Sequence, residues 1–432
     1  MKEIKVGIIG FGTVGSGTAE VLHRQAENLR RKTGLNITLA RVADRSARSL
    51  PPEFNQCRLS NQAEDVLNDP AIDIVVELIG GIEPARTLVL EAIAMGKHVV
   101  TANKALMSTA GREILAAAAE AGVAVGMEAS VAGGIPVIKT LKEGMAANTI
   151  NSIIGILNGT ANYILSRMTD EGLPFAEVLR EAQEKGYAEA DPTYDIDGID
   201  TAHKLAILIA MAYGINVRLK DIHVEGISRI EPIDIVYARQ FGYRIKLLAV
   251  SINHGDNVEA RVHPTMVPED HILASVNGAY NAVNFNGDMA GDILLYGQGA
   301  GKMPTGSAVV ADIIDIARDI AAGAINRVPG LAFVEDNIIK GRITPMEQLR
   351  GAYYFRMSVM DEPGVLANIA GILGNNEISI ESVIQQKRLE RGPVPVVIRT
   401  HRAAEKSVAQ AMNEIDQLAI CAKTPVIIRI LE

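Results

Sequence analysis

The sequence has few cysteines, no block of basic residues and no long uninterrupted apolar run. It contains two cysteines, Cys57 and Cys421, in 432 residues. This scarcity excludes a disulfide framework and a cysteine-rich zinc site, and it favours a reducing compartment. Lys and Arg number 42 against 51 Asp and Glu, which gives a net charge of −9. Mild acidity without a basic patch argues against nucleic acid or an anionic membrane as a partner.

No segment is typical of a targeting leader or a membrane span. The first residues run directly into a strand-like segment, without a charged and then apolar leader. Apolar stretches are interrupted well before the roughly 20 residues that a membrane span needs. Hydrophobic residues make up 48% and charged residues 22% of the chain, which is globular composition. We therefore expect a globular, cytoplasmic protein of two to four domains.

A glycine-rich turn follows the first predicted strand, residues 4–9, which is apolar and β-branched like a buried parallel strand. Gly10 permits a tight turn, Gly12 allows the backbone to approach a pyrophosphate, and Gly15 allows close packing of helix on strand. The helix predicted from residue 16 to about residue 31 would present its N-terminus to the phosphates. The whole turn consists of Gly10, Phe11, Gly12, Thr13, Val14 and Gly15.

Strands and helices continue to alternate to about residue 127, which predicts a Rossmann-type doubly wound parallel sheet. A glycine-rich turn in another doubly wound domain is the alternative. Asp44 ends the second predicted strand, where an acidic residue typically accepts hydrogen bonds from the adenosine ribose. Arg45 and Arg48 follow it and could receive a 2′-phosphate instead. The residues leave NAD and NADP both open.

Two later segments are candidates for the crevice at the carboxyl ends of the strands. Lys104 directly follows a predicted strand, so its ammonium could enter the crevice, although a solvated surface lysine is the ordinary alternative. Residues 128–135 combine one carboxylate with glycines and backbone carbonyls. That set suits a weakly bound monovalent cation, and an ordinary turn is the simpler interpretation.

The most informative segment is 182–204, which places five acidic residues from Glu189 to Asp200 ahead of an apolar helix. Asp200 and Lys204 are four residues apart and therefore share a helix face. Carboxylates at the head of an apolar helix can hold a substrate ammonium group. A lysine one turn further along can be partly desolvated, which lowers its pKa and suits it to proton transfer.

Three other interpretations of this segment compete. It could be a solvated acidic loop, or a Ca²⁺ site, although the spacing of an EF-hand loop is absent. Asp200 and Lys204 could form a surface ion pair, which contributes only about 0.3–0.5 kcal/mol. The neighbouring Ala202, Leu205 and Ile209 argue against the last interpretation, because they predict a helix that is buried on most sides.

Segment 182–204 resembles the homoserine dehydrogenase signature. The glycine turn at 10–15, segment 101–106 and segment 128–136 also fall where that family has them, and the resemblance covers about residues 1–325. The matching signature residues are Ala182, Gly186, Tyr187, Asp191, Pro192, Asp195, Ile196, Gly198, Asp200 and Lys204.

The resemblance implies an enzyme that interconverts L-homoserine and L-aspartate 4-semialdehyde with NAD or NADP. It implies that Lys204 donates and accepts the proton, that Lys104 lies beside substrate and nicotinamide, and that Asp200 orients the lysine. The residues that it implies for substrate binding are Tyr187, Glu189, Asp195 and Asp200. Those that it implies for the cofactor are the turn 10–15 with Asp44, Arg45, Lys104 and Gly301, the last of which ends a loop that closes on the cofactor. For a sodium ion it implies Glu128 with the backbone carbonyls of Val131, Gly133 and Ile135.

The last part of the chain is predicted to be a separate module. Its predicted order, strand-helix-strand-strand-helix-strand, is ferredoxin-like. With the Asp361-Glu362-Pro363-Gly364 turn it resembles the ACT domain, which usually pairs with a second copy and binds an amino acid at the interface. The resemblance implies a homo-oligomer, dimer or tetramer, regulated by an amino acid of the threonine, methionine and isoleucine pathway, threonine being the first candidate. A purely structural dimerisation module is the alternative.

We expect a nucleotide-binding domain at 1–129, an α+β catalytic and dimerisation domain at 130–326 whose last helix packs back on the first domain, a linker at 327–351 and the ACT domain at 352–432.

Two other functions remain open. A phosphorylating semialdehyde dehydrogenase needs a cysteine nucleophile with a nearby base, and neither Cys57 nor Cys421 is suitably placed. A non-catalytic sensor would not depend on Lys104 or Lys204.

Overall fold

The structure is a computed structural model that describes residues 2–324, 327–385 and 393–432. Residue 326, where we place the end of the second domain, lies outside the described residues. Within the described ranges, no helix is both long enough and apolar enough to cross a membrane.

The first part of the chain is a six-stranded parallel sheet with helices on its faces. Its strands are β1 (Glu3–Ile9), β2 (Asn36–Ala43), β3 (Arg58–Ser60), β4 (Ile74–Glu77), β5 (His98–Thr101) and β6 (Val125–Gly126). Its helices are α1 (Thr13–Arg24), α2 (Ala26–Thr33), α3 (Glu64–Leu67), α4 (Ala85–Ala94) and α5 (Lys104–Ala121). The strand order is β3-β2-β1-β4-β5-β6, and every neighbouring pair is parallel.

This order is that of the dinucleotide-binding doubly wound fold, in which ligands bind where the order reverses, between β1 and β4. The prediction of a doubly wound sheet is confirmed. Strand β1 is buried because both its faces are covered, and Ile4, Val6 and Ile8 are fully buried. The single helix predicted at 16–31 is two helices, since residue Gln25 interrupts the run.

The middle of the chain is an α+β unit. Its strands are β7 (Ile150–Ile156), β8 (His223–Val224), β9 (Tyr243–Asn253), β10 (Asn257–Pro268), β11 (Tyr280–Gly287) and β12 (Gly291–Gln298). Its helices are α6 (Val137–Lys139), α7 (Gly159–Glu171), α8 (Phe175–Glu184), α9 (Thr193–Ile196), α10 (Ile199–Tyr213), α11 (Pro232–Gln240) and α12 (Lys302–Ala322). Helix α10 is central: Thr201 and Leu205 are fully buried, and most of its other residues are buried as well.

Helix α12 returns to the first part of the chain and packs on α1. Contact is close because both helices have glycine at the crossing: a Cβ on Gly17 would lie 2.2 Å from the carbonyl oxygen of Lys302, and one on Gly306 would lie 2.7 Å from the carbonyl carbon of Gly17. Val309 and Ile313 of α12 are fully buried in the same apolar core as β1. The nucleotide-binding core is therefore completed by residues some 300 positions later in the sequence.

The last part has the strand-helix-strand-strand-helix-strand order of a ferredoxin-like module, as predicted. A short strand, β13 (Arg342–Ile343), precedes the module and pairs with β10. The module itself consists of β14 (Arg350–Val359), α13 (Val365–Asn375), β15 (Ile380–Gln385), β16 (Val394–Thr400), α14 (Glu405–Asp416) and β18 (Cys421–Ile430), with a two-residue strand, β17 (Ala403–Ala404), pairing with β14 ahead of α14. Its sheet is not separate. The middle and last parts share one 12-stranded sheet, joined where β18 pairs with β10 in parallel, Thr265 opposite Arg429 and Met266 opposite Ile430.

Candidate active site

The glycine turn after β1 has the geometry that its sequence predicts. Gly10 has φ 100°, and a Cβ there would lie 2.7 Å from the backbone of Leu78. A Cβ on Gly15 would lie 2.1 Å from the carbonyl oxygen of Gly10, whereas one on Gly12 would meet nothing within 4 Å. Gly12 is the N-cap of α1 and is exposed, as is Thr13. The turn therefore leaves open space at a helix N-terminus, as a pyrophosphate requires.

Asp44 closes this turn from the end of β2. One carboxylate oxygen accepts the backbone N–H of Phe11 at 2.6 Å, and the other accepts the N–H groups of Ser46 and Ala47 at 2.8 Å each. Partial burial raises the pKa of Asp44, but these donors outweigh it and hold the pKa at about 2. Asp44 is thus an ionised carboxylate that is largely occupied by the protein's own backbone. The side chains of Arg45 and Arg48 are exposed beside it.

Lys104 stands at the first position of α5, at the carboxyl end of β5. Asn103 caps that helix by accepting the N–H of Leu106 at 3.0 Å, and its amide donates to the carbonyl of Gly81 at 2.6 Å. These bonds fix the loop between strand and helix, so that the Lys104 ammonium lies 2.5 Å from Asp200 and 5.7 Å from the centre of the Tyr194 ring. Its side chain remains 36% exposed, which leaves room for a ligand.

Asp200 is the centre of the cluster. It is 2% exposed, and its carboxylate pairs with both lysines: Oδ1 with Lys104 at 2.5 Å and Oδ2 with Lys204 at 2.6 Å. Lys204 also donates to the carbonyl oxygen of Leu157 at 2.6 Å. The structure thus brings Lys104, Asp200 and Lys204 together, although 96 residues separate the first two.

The two lysines differ in their electrostatics. Burial lowers the pKa of Lys204, and the nearby Lys104 cation adds to this, so that the pKa lies below its usual range despite the pull of Asp200. Burial also acts to lower the pKa of Lys104, but the attraction of Asp200 outweighs it and the pKa is raised. Burial raises the pKa of Asp200, but Lys204 and Lys104 outweigh it and hold the pKa well below its usual range. Lys204 is therefore the one that exchanges a proton more readily.

Asn158 is a member of the cluster that sequence reasoning missed. Its amide donates to Asp195 at 2.8 Å and to Asp200 at 2.9 Å, while its oxygen caps α7 by accepting the N–H of Ala161 at 2.7 Å. The available signal was an asparagine directly after a buried strand and ahead of a helix, which is typical of an N-cap. Its cap function holds the amide in place beneath both carboxylates.

Of the remaining predicted substrate residues, Asp195 is connected to this cluster through Asn158, whereas the contacts of Tyr187 and Glu189 are with other residues. Asp195 is half-buried, and its pKa is raised because of burial, against the hydrogen bond from Asn158. Tyr187 is 48% exposed; its ring lies 4.8 Å from that of Tyr163, and its carbonyl accepts a hydrogen bond from Thr160 at 2.6 Å. Glu189 is exposed, and Gln183 donates to its carbonyl at 3.1 Å.

The loop that ends at Gly301 lies against the predicted cation segment. A Cβ on Gly133 would lie 2.4 Å from the carbonyl oxygen of Gly299, so the two backbones are in direct contact. Gly301 is exposed, with φ 128°, and is the N-cap of α12. The loop therefore meets the nucleotide-binding part of the chain at the start of the helix that packs on α1.

Glu128, Val131, Gly133 and Ile135 lie in one buried segment. The Glu128 carboxylate accepts the backbone N–H groups of Ile138 and Lys139 at 2.8 Å each, so part of its capacity is already used. Burial raises the pKa of Glu128, as it does that of Asp312, which reaches about 8. No three His, Cys, Asp or Glu side chains of the described chain are grouped to hold a metal ion. A cation here would depend on backbone carbonyls.

A cavity of about 350 Å³ borders Glu128 and Asp312, and neither Lys104, Asp200 nor Lys204 lines it. Its wall carries charges of both signs, including Lys142 and Asp315. This cavity is therefore separate from the cluster of Lys104, Asp200 and Lys204.

Family models match nearly the whole chain. The model described as "Homoserine dehydrogenase, NAD binding domain" matches residues 10–128, and the one described as "Homoserine dehydrogenase" matches residues 136–314. The model described as "ACT domain" matches residues 353–420.

Relatives of the same description cover the chain from end to end. A homoserine dehydrogenase of Pseudomonas aeruginosa is 48% identical over 97% of this chain and 96% of its own. The crystal structure of a homoserine dehydrogenase from Thiobacillus denitrificans is 49% identical, covers 100% of this chain and 99% of its own, and superposes with a TM-score of 0.94. A hyperthermophilic archaeal homoserine dehydrogenase in complex with NADPH is 25% identical over 73% of this chain and 98% of its own, with a TM-score of 0.62.

Proposed function

The chain belongs to the homoserine dehydrogenase family of NAD(P)-dependent oxidoreductases, and we propose that Lys204, Asp200 and Lys104 carry its reaction, the interconversion of L-homoserine and L-aspartate 4-semialdehyde. The observation that supports these roles is the Asp200 carboxylate shared by two lysines of opposite pKa shift.

Lys204 accepts the hydroxyl proton when the alcohol is oxidised and returns it when the aldehyde is reduced. Its lowered pKa favours the neutral amine that a general base requires. The nicotinamide supplies the hydride acceptor or donor when it is bound. Lys104, held in its charged form by Asp200, stabilises negative charge that develops on the carbonyl oxygen.

The acidic segment holds the amino-acid end of the substrate. Asp195 and Glu189 offer carboxylates to the substrate ammonium group, and Tyr187 provides an exposed ring in the same segment. Asp200 does not have this freedom, because both its oxygens are paired with lysines. We therefore assign Asp200 mainly to orienting Lys204 and Lys104.

The test of the proton-transfer role is Lys204→Met. We expect the initial rate of homoserine oxidation to fall at least about a hundredfold, because general acid–base catalysis contributes about 10²–10⁴-fold. Binding of NADPH, followed by its fluorescence, should be unchanged. Lys246→Met is the matched control, since Lys246 is also buried, with a pKa lowered to about 8, but donates to the carbonyl of Val276 instead. Near wild-type oxidation by Lys204→Met would contradict the assignment.

The cofactor preference we propose is NADP over NAD. Asp44 is largely occupied by backbone N–H groups, whereas Arg45 and Arg48 are exposed and available to a 2′-phosphate. The double variant Arg45→Ala/Arg48→Ala should lower kcat/KM for NADP⁺ about tenfold or more, as expected for loss of charge-assisted hydrogen bonds of roughly 1.5–3 kcal/mol. The value for NAD⁺ should not fall. Arg31→Ala, an exposed arginine of α2, is the control.

The ACT domain, we propose, binds threonine between two copies of the chain and inhibits the enzyme, which serves threonine, methionine and isoleucine synthesis in the cytoplasm. The family of the module and its fusion to a biosynthetic enzyme support this. Initial rates with each of the three amino acids test it, and sedimentation velocity measures the oligomer. Absence of inhibition by all three would contradict the regulatory role.

A sodium ion, we propose, binds beside Glu128. Hard oxygen donors of the carbonyls of Val131, Gly133 and Ile135 suit such an ion. The raised pKa of Glu128 is consistent with a buried carboxyl that lacks a full counter-charge. The melting temperature should be higher in NaCl than in tetramethylammonium chloride at equal ionic strength, and Glu128→Gln should abolish the difference. Equal melting temperatures in the two salts would contradict the site.

A further inference from the structure

The last strand of the ACT domain reaches into the substrate-binding part of the chain through one arginine. Arg429 of β18 is 9% exposed, and its two terminal nitrogens each lie 2.9 Å from an oxygen of Glu225, which follows β8. Its Nε also donates to Glu405 at 3.2 Å. This pairing joins residues 204 positions apart.

Glu225 begins the short segment 225–227, which packs against the acidic segment and which we call the floor. Its backbone N–H donates to the carbonyl of Val262 at 2.8 Å, and its carboxylate also contacts His223 at 2.6 Å. Two residues later, the N–H of Ile227 donates to the carbonyl of Ile196 at 2.8 Å. The short segment 225–227 therefore ties β10 on one side to the end of α9 on the other.

The floor and the acidic segment pack tightly against each other. A Cβ on Gly226 would lie 2.5 Å from the carbonyl oxygen of Ile196 and 2.6 Å from the Cα of Asp197. A Cβ on Gly198, which has φ 82°, would lie 3.2 Å from the Val224 side chain. The backbones are in van der Waals contact, so a shift of 225–227 must move residues 196–198.

Residues 196–198 are the joint between the two helices that carry the candidate site. Asp195 lies on α9 on one side of the joint, and Asp200 and Lys204 lie on α10 on the other. The joint turns at Gly198, the N-cap of α10. The angle between α9 and α10 therefore sets the spacing between the substrate-binding carboxylate and the proton-transfer pair.

We propose that Arg429 acts through Glu225 as a positioning residue for this joint, so that the ACT domain contributes to the basal reaction as well as to its regulation. The inference rests on the proposed function of Asp195, Asp200 and Lys204. The Arg429 side chain is 10% exposed and that of Glu225 is 37% exposed, so the pair is partly shielded from solvent. Loss of Arg429 removes the two hydrogen bonds that fix the Glu225 carboxylate and leaves it only its contact with His223.

The experiment compares Glu225→Gln, Arg429→Met and the double variant in the full-length enzyme. We expect kcat/KM for homoserine to fall between about tenfold and a hundredfold in each single variant, since a displacement of about 1 Å has that cost. KM for the cofactor should not change. The double variant should be no worse than the worse single variant, because the two residues act as one unit. Arg429→Lys should recover part of the loss.

The pH dependence separates positioning from a general loss of stability. A displaced Asp200 would alter the ascending limb of the pH profile for homoserine oxidation, which reports Lys204. Arg356→Met is the matched control, since Arg356 is a buried arginine of the same ACT sheet whose carboxylate partner, Asp234, lies on α11, away from the acidic segment. It should lower the melting temperature yet leave kcat/KM for homoserine and the pH profile unchanged, when measured below its own transition.

Several outcomes would overturn the proposal. Glu225→Gln and Arg429→Met with wild-type kcat/KM and pH profile would do so, as would losses that add in the double variant. An equal loss in Arg356→Met would also do so, because the effect would then be general. If Arg429→Met does not fold, Glu225→Gln alone decides. A wild-type enzyme that is inactive with homoserine would instead overturn the proposed function.

Discussion

The nucleotide-binding part and the ACT domain are both connected to the middle of the chain, but by different means. The nucleotide-binding part contributes Lys104 directly to the cluster of Lys104, Asp200 and Lys204, through an ion pair with Asp200. No described side chain of the ACT domain lies in that cluster; the domain instead continues the sheet, with Arg356 in a buried ion pair and Arg429 in a partly buried one. One part thus contributes a side chain to the candidate site, whereas the other packs against the elements that carry that site.

The difference shows which kind of connection tolerates change. Lys104 remains 36% exposed and can move as ligands enter. The Arg356 contact of the ACT domain is largely shielded from solvent: Arg356 is 7% exposed, and its partner Asp234 is fully buried and also accepts a hydrogen bond from Tyr354 at 3.0 Å. Buried charges cannot be separated cheaply, so the ACT domain and the middle part should move as one body.

The largest effect is expected at the glycine turn. Gly15→Val places a side chain where even a Cβ would lie 2.1 Å from the Gly10 carbonyl oxygen, so helix α1 must leave β1 and cofactor binding should be lost. Calorimetric titration with NADPH measures this. Gly12→Ala sharpens the result, since a Cβ there meets no atom of the protein: it should keep the wild-type melting temperature while weakening NADPH binding. Unchanged NADPH binding by Gly15→Val would contradict this account.

The second largest effect is expected on stability, at the buried contact between the ACT domain and the middle of the chain. Arg356→Met leaves the Asp234 carboxylate buried without its arginine, which should cost about 3–5 kcal/mol in the free energy of unfolding. Urea denaturation followed by circular dichroism measures it. Arg318→Met, which removes an exposed arginine of α12, should leave stability close to wild type. If both variants unfold at the same urea concentration, the buried pair does not hold the ACT domain.

A smaller effect on catalysis is expected at Asn158. Asn158→Ala removes the donors to Asp195 and Asp200, and each hydrogen bond to a charged group contributes roughly 1.5–3 kcal/mol. We expect kcat/KM for homoserine to fall about tenfold or more in initial-rate assays. Asn158→Ser keeps an N-cap for α7 but cannot reach both carboxylates, so it separates the two functions. Full activity of the serine variant would show that only the cap matters.

The smallest effect is a shift in pH dependence. The Lys104 cation lowers the pKa of Lys204, so Lys104→Gln should raise it. Because Lys204 must be neutral to accept the hydroxyl proton, the ascending limb of kcat for homoserine oxidation should move to higher pH. Lys185→Gln, at an exposed lysine paired with Glu181, is the control and should leave the limb in place. A limb that moves to lower pH in Lys104→Gln would contradict this electrostatic coupling.

The part of the site that could be predicted from sequence is the part made of local spacing. Gly15 packs against Gly10, five residues earlier, and Asp200 with Lys204 is an i,i+4 pair. Such relations depend on one turn or one helix, which the sequence pattern specifies. The doubly wound sheet and the ferredoxin-like element order of the last module followed from the same local periodicity.

The rest depends on pairings between distant residues, which no periodicity specifies. Nothing near Lys104 indicates that it meets Asp200, and nothing in strand β18 distinguishes Arg429 from an exposed arginine. Strand β8 is limited to His223–Val224, because the following residues turn to contact the acidic segment. The local sequence indicates that Asn158 caps a helix, but it does not indicate that its amide donates to Asp195 and Asp200.

Helix α12, which lies across α1, has a consequence for how the protein is made. A ribosome releases the six parallel strands long before it has synthesised Val309 and Ile313, the residues that cover one side of β1 and its neighbours. Until then, apolar side chains on that face of the nascent sheet are exposed to solvent. A gene fragment that stops at residue 129 should for that reason yield inclusion bodies, and co-expression of a peptide spanning α12 should rescue it.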